Sequence, residues 1–314
     1  MLSRVAERLF WSARYLERVE NIARLVSVYD EVLFDLPRDV KVSWYNLIEI
    51  NGCVEEFGAI YKDQGEKNVM RFLLAKEDNP GSLLSSLLMV KENIRTTRDV
   101  VPEEMWELIN ELCQYAKNNI QQGINRSNRH AYLNAIIESC QKINGLLADT
   151  MSRDESWSFN VMGRYTERAD MCTRILDSAV IISVNALPEE KVVLDQAIWS
   201  KVLKSQSGYL TCQRTMKTGI DSVVACQFLL GDQNFPRSLR FCLRQIKTAS
   251  TYLPRYEAVA ESAEALRAKT YEVESEDDIN LSLSEYLNDI QLALIDLQCQ
   301  IRETWFDFKH GEAA

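Results

Sequence analysis

Between Leu9 and Val26 the chain is apolar on nearly every side of a helix, with Leu9, Phe10, Trp11, Tyr15, Leu16, Val19, Ile22, Ala23, Leu25 and Val26 interrupted by a single polar stripe. A helix that apolar is expected to be buried. The stripe advances by three or four residues through Arg14, Glu17, Arg18, Asn21 and Arg24, which puts these side chains on one face. Similar periodicity predicts a long helix over about 3–35 and another over about 157–186. A second helix is expected at about 41–63 and again at about 189–206, each followed by a shorter one. Asn79-Pro80 reads as an N-cap with proline at the first helical position, opening a helix through about Asp99, and Phe235-Pro236 reads the same way. Further helices are expected at about 102–122, 128–154, 254–270 and 280–307, with Gly65, Gly123 and Gly219 as stops. The acidic run from Glu272 to Asp278 reads as a solvated loop.

The two long helices carry matching segments. Arg14-Tyr-Leu-Glu-Arg and onward to Arg24 matches Arg164-Tyr-Thr-Glu-Arg and onward to Arg174 at an offset of 150 residues. Phe72-Leu-Leu with Pro80-Gly-Ser-Leu matches Phe228-Leu-Leu with Pro236-Arg-Ser-Leu at 156, and Tyr132-Leu-Asn-Ala-Ile matches Tyr286-Leu-Asn-Asp-Ile at 154. Three collinear matches at nearly one offset predict an all-α fold made by tandem duplication of a multi-helix bundle unit. The units are expected at 1–156 and 157–314, related by a pseudo-twofold axis and sharing one core.

Composition narrows the function classes. Of the 314 residues 46% are hydrophobic, enough for a sizeable core, while 11 Gly and 6 Pro are few for this length. The formal charge of −10 argues against non-specific nucleic-acid binding, which works by neutralising phosphates. No apolar run has the length of a membrane span and the N-terminus lacks a secretory signal, so a cytoplasmic protein is expected. Eight scattered cysteines with no Cys-x-x-Cys pair read as reduced core residues. With His130 and His310 as the only histidines, no metal site is legible. Neither a phosphate loop nor an activated Cys-His arrangement appears, and no cofactor is expected.

The candidate chemistry therefore lies in the charged stripes. Arg14, Arg18 and Arg24 stand with Glu17 and Glu20 in the first, and Arg164, Arg168 and Arg174 with Glu167 and Asp170 in the second. Each arm has one arginine in excess, and buried charges require partners. Ser82, Ser85, Ser86, Glu92, Asn93, Arg95 and Arg98 from the first proline-initiated helix, with Ser238, Arg240 and Arg244 from the second, are expected to converge on an Arg-lined cavity. Guanidinium forks fit carboxylate or phosphate, so an anionic small molecule or an acidic peptide end suits such a cavity. The candidate ligand-binding set is Arg14, Glu17, Arg18, Arg24, Glu92, Arg95, Arg164, Glu167, Arg168 and Arg174. Two alternatives stand beside it: Glu17 or Glu167 as the general base of an enzyme, and Glu-Arg pairs that only lock helices in register.

The opening Met1-Leu-Ser-Arg-Val-Ala-Glu-Arg-Leu-Phe-Trp-Ser-Ala-Arg-Tyr-Leu-Glu-Arg, the segment Asn79-Pro-Gly-Ser-Leu-Leu-Ser-Ser-Leu, Glu92-Asn-Ile-Arg95, Met105-Trp-Glu-Leu-Ile-Asn and Gly163-Arg-Tyr-Thr-Glu-Arg-Ala-Asp170 together resemble the bacterial alpha-E proteins. Ser12-Ala13 departs from the Leu-Gly-like pair expected there, which Met162-Gly163 fits better. The resemblance covers essentially the whole chain and implies an all-helical protein. It also implies partnership with a circularly permuted ATP-grasp protein, and with a transglutaminase-like protein, in a system that ligates amides or peptides.

Overall fold

A computed structural model describes residues 1–35, 42–186 and 191–307, and among these it contains fifteen α-helices and no strand. In chain order they are α1 (Ser3–Asp35), α2 (Asn46–Ile50), α3 (Val54–Ile60), α4 (Glu66–Met70), α5 (Leu83–Arg95), α6 (Glu103–Asn118), α7 (Ile120–Ile124) and α8 (Arg129–Thr150). There follow α9 (Glu155–Val184), α10 (Lys191–Ser205), α11 (Tyr209–Met216), α12 (Ser222–Gly231), α13 (Leu239–Ser250), α14 (Glu257–Ala268) and α15 (Leu281–Trp305). No helix among the described residues is long and apolar enough to cross a membrane.

The two long helices, α1 and α9, pack against each other, and the rest is arranged around that pair. Helices α5 and α8 lie on α1, α13 and α15 lie on α9, and α10 touches both. Gly163 fixes how closely α1 and α9 approach. A Cβ there would stand 2.1 Å from the Phe10 carbonyl oxygen, so only glycine lets the backbones meet at this point. Two apolar clusters fill the interior. One gathers Leu16, Phe57, Phe72, Tyr132, Trp199 and Phe228; the other gathers Phe10, Phe159, Leu243 and Trp305. Each draws residues from both sides of the 156/157 division.

The helix starts differ from the sequence expectation in an instructive way. The Ser82 hydroxyl, not Asn79, caps α5, accepting from the Ser85 N–H at 3.1 Å, and Ser238 caps α13 by accepting from the Phe241 N–H at 3.2 Å. Asn79 shapes the preceding turn instead: its side chain accepts from the Gly81 N–H and donates to the Phe72 carbonyl. Helix α5 ends at Arg95, four residues early, where the Thr96 and Thr97 hydroxyls donate to the Asn93 carbonyl.

The single helix expected at 41–63 is two short ones, broken where Gly52 adopts φ +65°. Gly65 precedes α4 rather than ending a helix, and Gly123 lies inside α7, where a Cβ would meet the Tyr132 ring at 2.7 Å. Residue 41 and residues 189–190 of the two predicted second helices, together with His310, lie outside the described residues. The acidic run is a loop carrying one 3₁₀ turn, Glu276–Asp278, and the Asp278 carboxylate accepts from the Glu274 and Ser275 N–H groups.

Candidate functional site

The charged stripes of α1 and α9 face each other, and their Glu-Arg pairs bond crosswise. Residues i and i+1 of a helix point in different directions, so Glu17 cannot pair with Arg18, nor Glu167 with Arg168. Each glutamate instead reaches the opposite helix. Arg18 donates from Nε and Nη2 to the two oxygens of Glu167 at 2.6 and 3.0 Å. Arg168 donates in the same two-pronged way to Glu17 at 2.8 and 2.7 Å. The tyrosine of each motif supports this arrangement, since the Arg18 guanidinium lies 5.6 Å from the Tyr15 ring and that of Arg168 5.2 Å from the Tyr165 ring.

Each carboxylate has a second guanidinium, and here the two ends diverge. Glu167 takes it from the neighbouring motif: Arg14 donates to it from Nε at 2.8 Å and also to the side-chain oxygen of Gln298 on α15. Glu17 takes it from Arg237, which lies between α12 and α13. Arg237 donates to Glu17 at 2.9 Å, to the Asn21 side-chain oxygen at 2.9 Å and to Glu20 at 2.8 Å. Its position is set by the turn that precedes Ser238, and Arg168 also donates to the Pro236 carbonyl of that turn. The helical charge pattern of the sequence does not single out Arg237. It occupies the one position where the matched Pro-x-Ser-Leu segments differ, opposite Gly81.

Arg237 therefore fills the second place at Glu17, and Arg164, the counterpart of Arg14, makes no ion pair among the described residues. Among the described residues it donates to the Asn160 side-chain oxygen at 3.1 Å, within its own helix. Arg164 is half-buried, and burial, followed by the nearby Arg168 charge, pushes its pKa down. Arg24 and Arg174 make local pairs with Glu20 and Asp170 on the same helix. Arg24 also donates to the Ser207 hydroxyl, and Arg174 lies over Gly52, whose added Cβ would meet it at 2.7 Å. Across the seam, Arg14, Arg18, Arg24, Arg164, Arg168, Arg174 and Arg237 face Glu17, Glu20, Glu167 and Asp170. The guanidiniums are in excess by three.

Burial raises the Glu167 carboxyl, but Arg18 and Arg14 outweigh it and hold the pKa at about 2; Glu17 is lowered likewise by Arg168 and Arg237. Both are permanently ionised near neutral pH with their oxygens committed, which makes each a poor proton acceptor.

The expected convergence on an open cavity is not what the side chains do. The α1 and α9 stripes mate directly. Glu92 and Arg95 pair with each other on the surface, 57% and 55% exposed, away from the buried carboxylates. Ser82 and Ser238 are spent as helix caps, Arg98 stacks on Trp106 at 3.7 Å, and Arg244 lies 4.8 Å from the Phe241 ring. Among the described residues no group of three or more His, Cys, Asp or Glu side chains is placed to hold a metal ion.

Residues 1–306 match the family model Alpha-E, described as a predicted alpha-helical domain with a conserved ER motif. The chain belongs to the Alpha-E family. In this Alpha-E chain two Glu-Arg dipeptides, Glu17-Arg18 and Glu167-Arg168, form the crossed pairs at the centre of the fold. Similar curated proteins come from Mycobacterium bovis and from two strains of Mycobacterium tuberculosis, all described as uncharacterized. Each is 25% identical over 329 aligned positions, covering 94% of this chain and 36% of the relative. The chain thus spans about a third of the length of the curated relatives it matches. No solved structure matches.

Proposed function

We propose that this Alpha-E chain is a non-catalytic binding partner in an ATP-grasp-type amide or peptide ligation system. In this reading an anionic group, the carboxylate of a substrate or peptide or an acidic segment of the ligase, docks at the surplus guanidiniums of the α1/α9 seam. The observation that carries the binding reading is the charge imbalance: seven guanidiniums against four carboxylates, with Arg164 half-buried and in no ion pair among the described residues. A desolvated guanidinium gains most from an anion that completes its fork. The ligation setting, with a circularly permuted ATP-grasp protein and a transglutaminase-like protein as partners, is carried by the resemblance.

The same reading takes the two halves as copies about a pseudo-twofold axis. In its favour, Arg18 to Glu167 and Arg168 to Glu17 are one contact made twice with the helices exchanged.

The test is affinity capture of the tagged chain from its host, followed by mass spectrometry of what accompanies it. An ATP-grasp protein is expected with the native chain and is expected to be lost with Arg164→Gln at unchanged melting temperature. Capture of no such protein, or equal capture by the variant, contradicts the reading. A purely structural role for the seam is the second reading, favoured by the full commitment of Glu17 and Glu167 to arginines. Under it, Arg164→Gln changes neither capture nor stability. The general-base reading is disfavoured by the same commitment.

A further inference from the structure

Away from the seam, a cavity of about 640 Å³ opens between α12, α13, the end of α14, α15 and the loop from Lys269 to Glu274. None of its lining residues takes part in the crossed pairs. Three contacts pin its loop wall. Gln227 donates to the Val273 carbonyl at 2.6 Å, Tyr286 to the Lys269 carbonyl at 3.0 Å, and Tyr271 to the Asp278 carbonyl at 3.3 Å. The cavity is a built space with its wall fixed in advance, the usual condition of a small-molecule site.

The lining combines one unmet polar group with apolar surface. Arg240 lines the cavity, and its Nε–H is buried with no hydrogen-bond partner. It is half-buried and makes no ion pair among the described residues, so one buried N–H of its guanidinium stands without an acceptor, which costs free energy unless a ligand or water supplies one. Lys269 is a second cation with no ion pair among the described residues, whereas Arg267 is already held by Glu264. Leu230, Leu239 and Leu243 provide apolar walls. Glu272 and Glu274 are exposed members of the same lining, and two carboxylates there repel a polyanion more strongly than a monoanion.

We infer that this cavity binds an organic monocarboxylate of about amino-acid size, its carboxylate on Arg240 and its apolar part against the leucine wall. The volume exceeds what a bare inorganic anion fills, and the glutamates select against pyrophosphate and nucleotide phosphates. Acyl amino acids and the free C-terminus of a short apolar peptide share this chemistry.

The experiment uses the whole chain labelled with ¹⁵N-arginine, with N-acetyl-leucine as probe and N-acetyl-leucinamide and pyrophosphate as comparison compounds. The Arg240 Nε–H signal is identified from its absence in Arg240→Gln. Addition of N-acetyl-leucine is expected to shift that signal saturably, with little effect from the amide or pyrophosphate. Titration calorimetry on the same samples is expected to show affinity about tenfold or more weaker in Arg240→Gln, the loss of one charge-assisted contact. Lys269→Gln, an exposed position, is expected to weaken binding less. No saturable shift up to about 10 mM probe, an equal shift with the amide, or tighter binding of pyrophosphate would each overturn the inference. If Arg240→Gln melts early, the carboxylate-against-amide comparison on the native chain still decides it.

Discussion

The two ends of the α1/α9 seam use one motif and close it differently. At Glu167 both guanidiniums come from α1, through Arg14 and Arg18, and Arg18 remains 22% exposed. At Glu17 they come from two elements, α9 through Arg168 and the α12–α13 turn through Arg237, and all three side chains are at most 10% exposed. The first closure uses the motif alone. The second recruits an outside arginine and leaves the motif's own Arg164 in no ion pair among the described residues. One motif is therefore closed by its own arginines at one end and by an outside arginine at the other, and the difference rests on whether position 237 or its counterpart 81 carries a side chain.

The largest expected effect removes both closures at once. Glu17 and Glu167 have folded-state pKa values below the ordinary carboxylate range, so their contribution to stability is complete above about pH 4.5 and is lost as pH falls from there toward about 2. Each is worth about 3 kcal/mol on that basis. Chemical denaturation at pH 7, 4.5 and 3 is expected to show most of the loss between the last two; stability unchanged at pH 3 would contradict the assignment.

Breaking one end at a time separates them. Glu17→Gln leaves Arg168 and Arg237 buried beside a neutral amide and is expected to cost about 3–5 kcal/mol, the range for uncompensated buried charge. A fall in melting temperature of roughly 5–10 °C would report it. Glu167→Gln is expected to cost less, about 2–3 kcal/mol, because Arg18 can turn toward water. The reverse ranking in the same melting assay would mean that the outside arginine is not what makes the Glu17 end tighter. Arg164→Gln, which breaks no ion pair, is expected to stay within about 0.5 kcal/mol of the native chain.

Much of this arrangement is legible in the sequence. The long helices, their burial and the charged stripe follow from periodicity, because a helix surrounded by apolar residues has to sit inside. The partners of the stripe were not legible. Spacings of three and four describe neighbours on one helix, whereas Glu17 and Glu167 bond across to the opposite helix, a choice made by the close approach at Gly163. Arg237 is not marked by periodicity because it is a turn residue, and its mismatch with Gly81 in otherwise matching segments is the signal the sequence offers for it. Asn79-Pro80 misled because asparagine before proline fits both a cap and a turn; the serine two positions after the proline is the residue that starts the helix. Glu92 and Arg95 looked like members of the cluster because of their charges, but α5 turns that face to solvent.

A double-mutant cycle on Glu17 and Arg168, read by denaturant unfolding and set beside the cycle on Glu17 and Arg18, tests the crossed pairing most directly. A coupling of about 2–3 kcal/mol is expected for the first pair and close to none for the second, adjacent in sequence but pointing apart. Coupling confined to Glu17 and Arg18, or absent from both cycles, would contradict it.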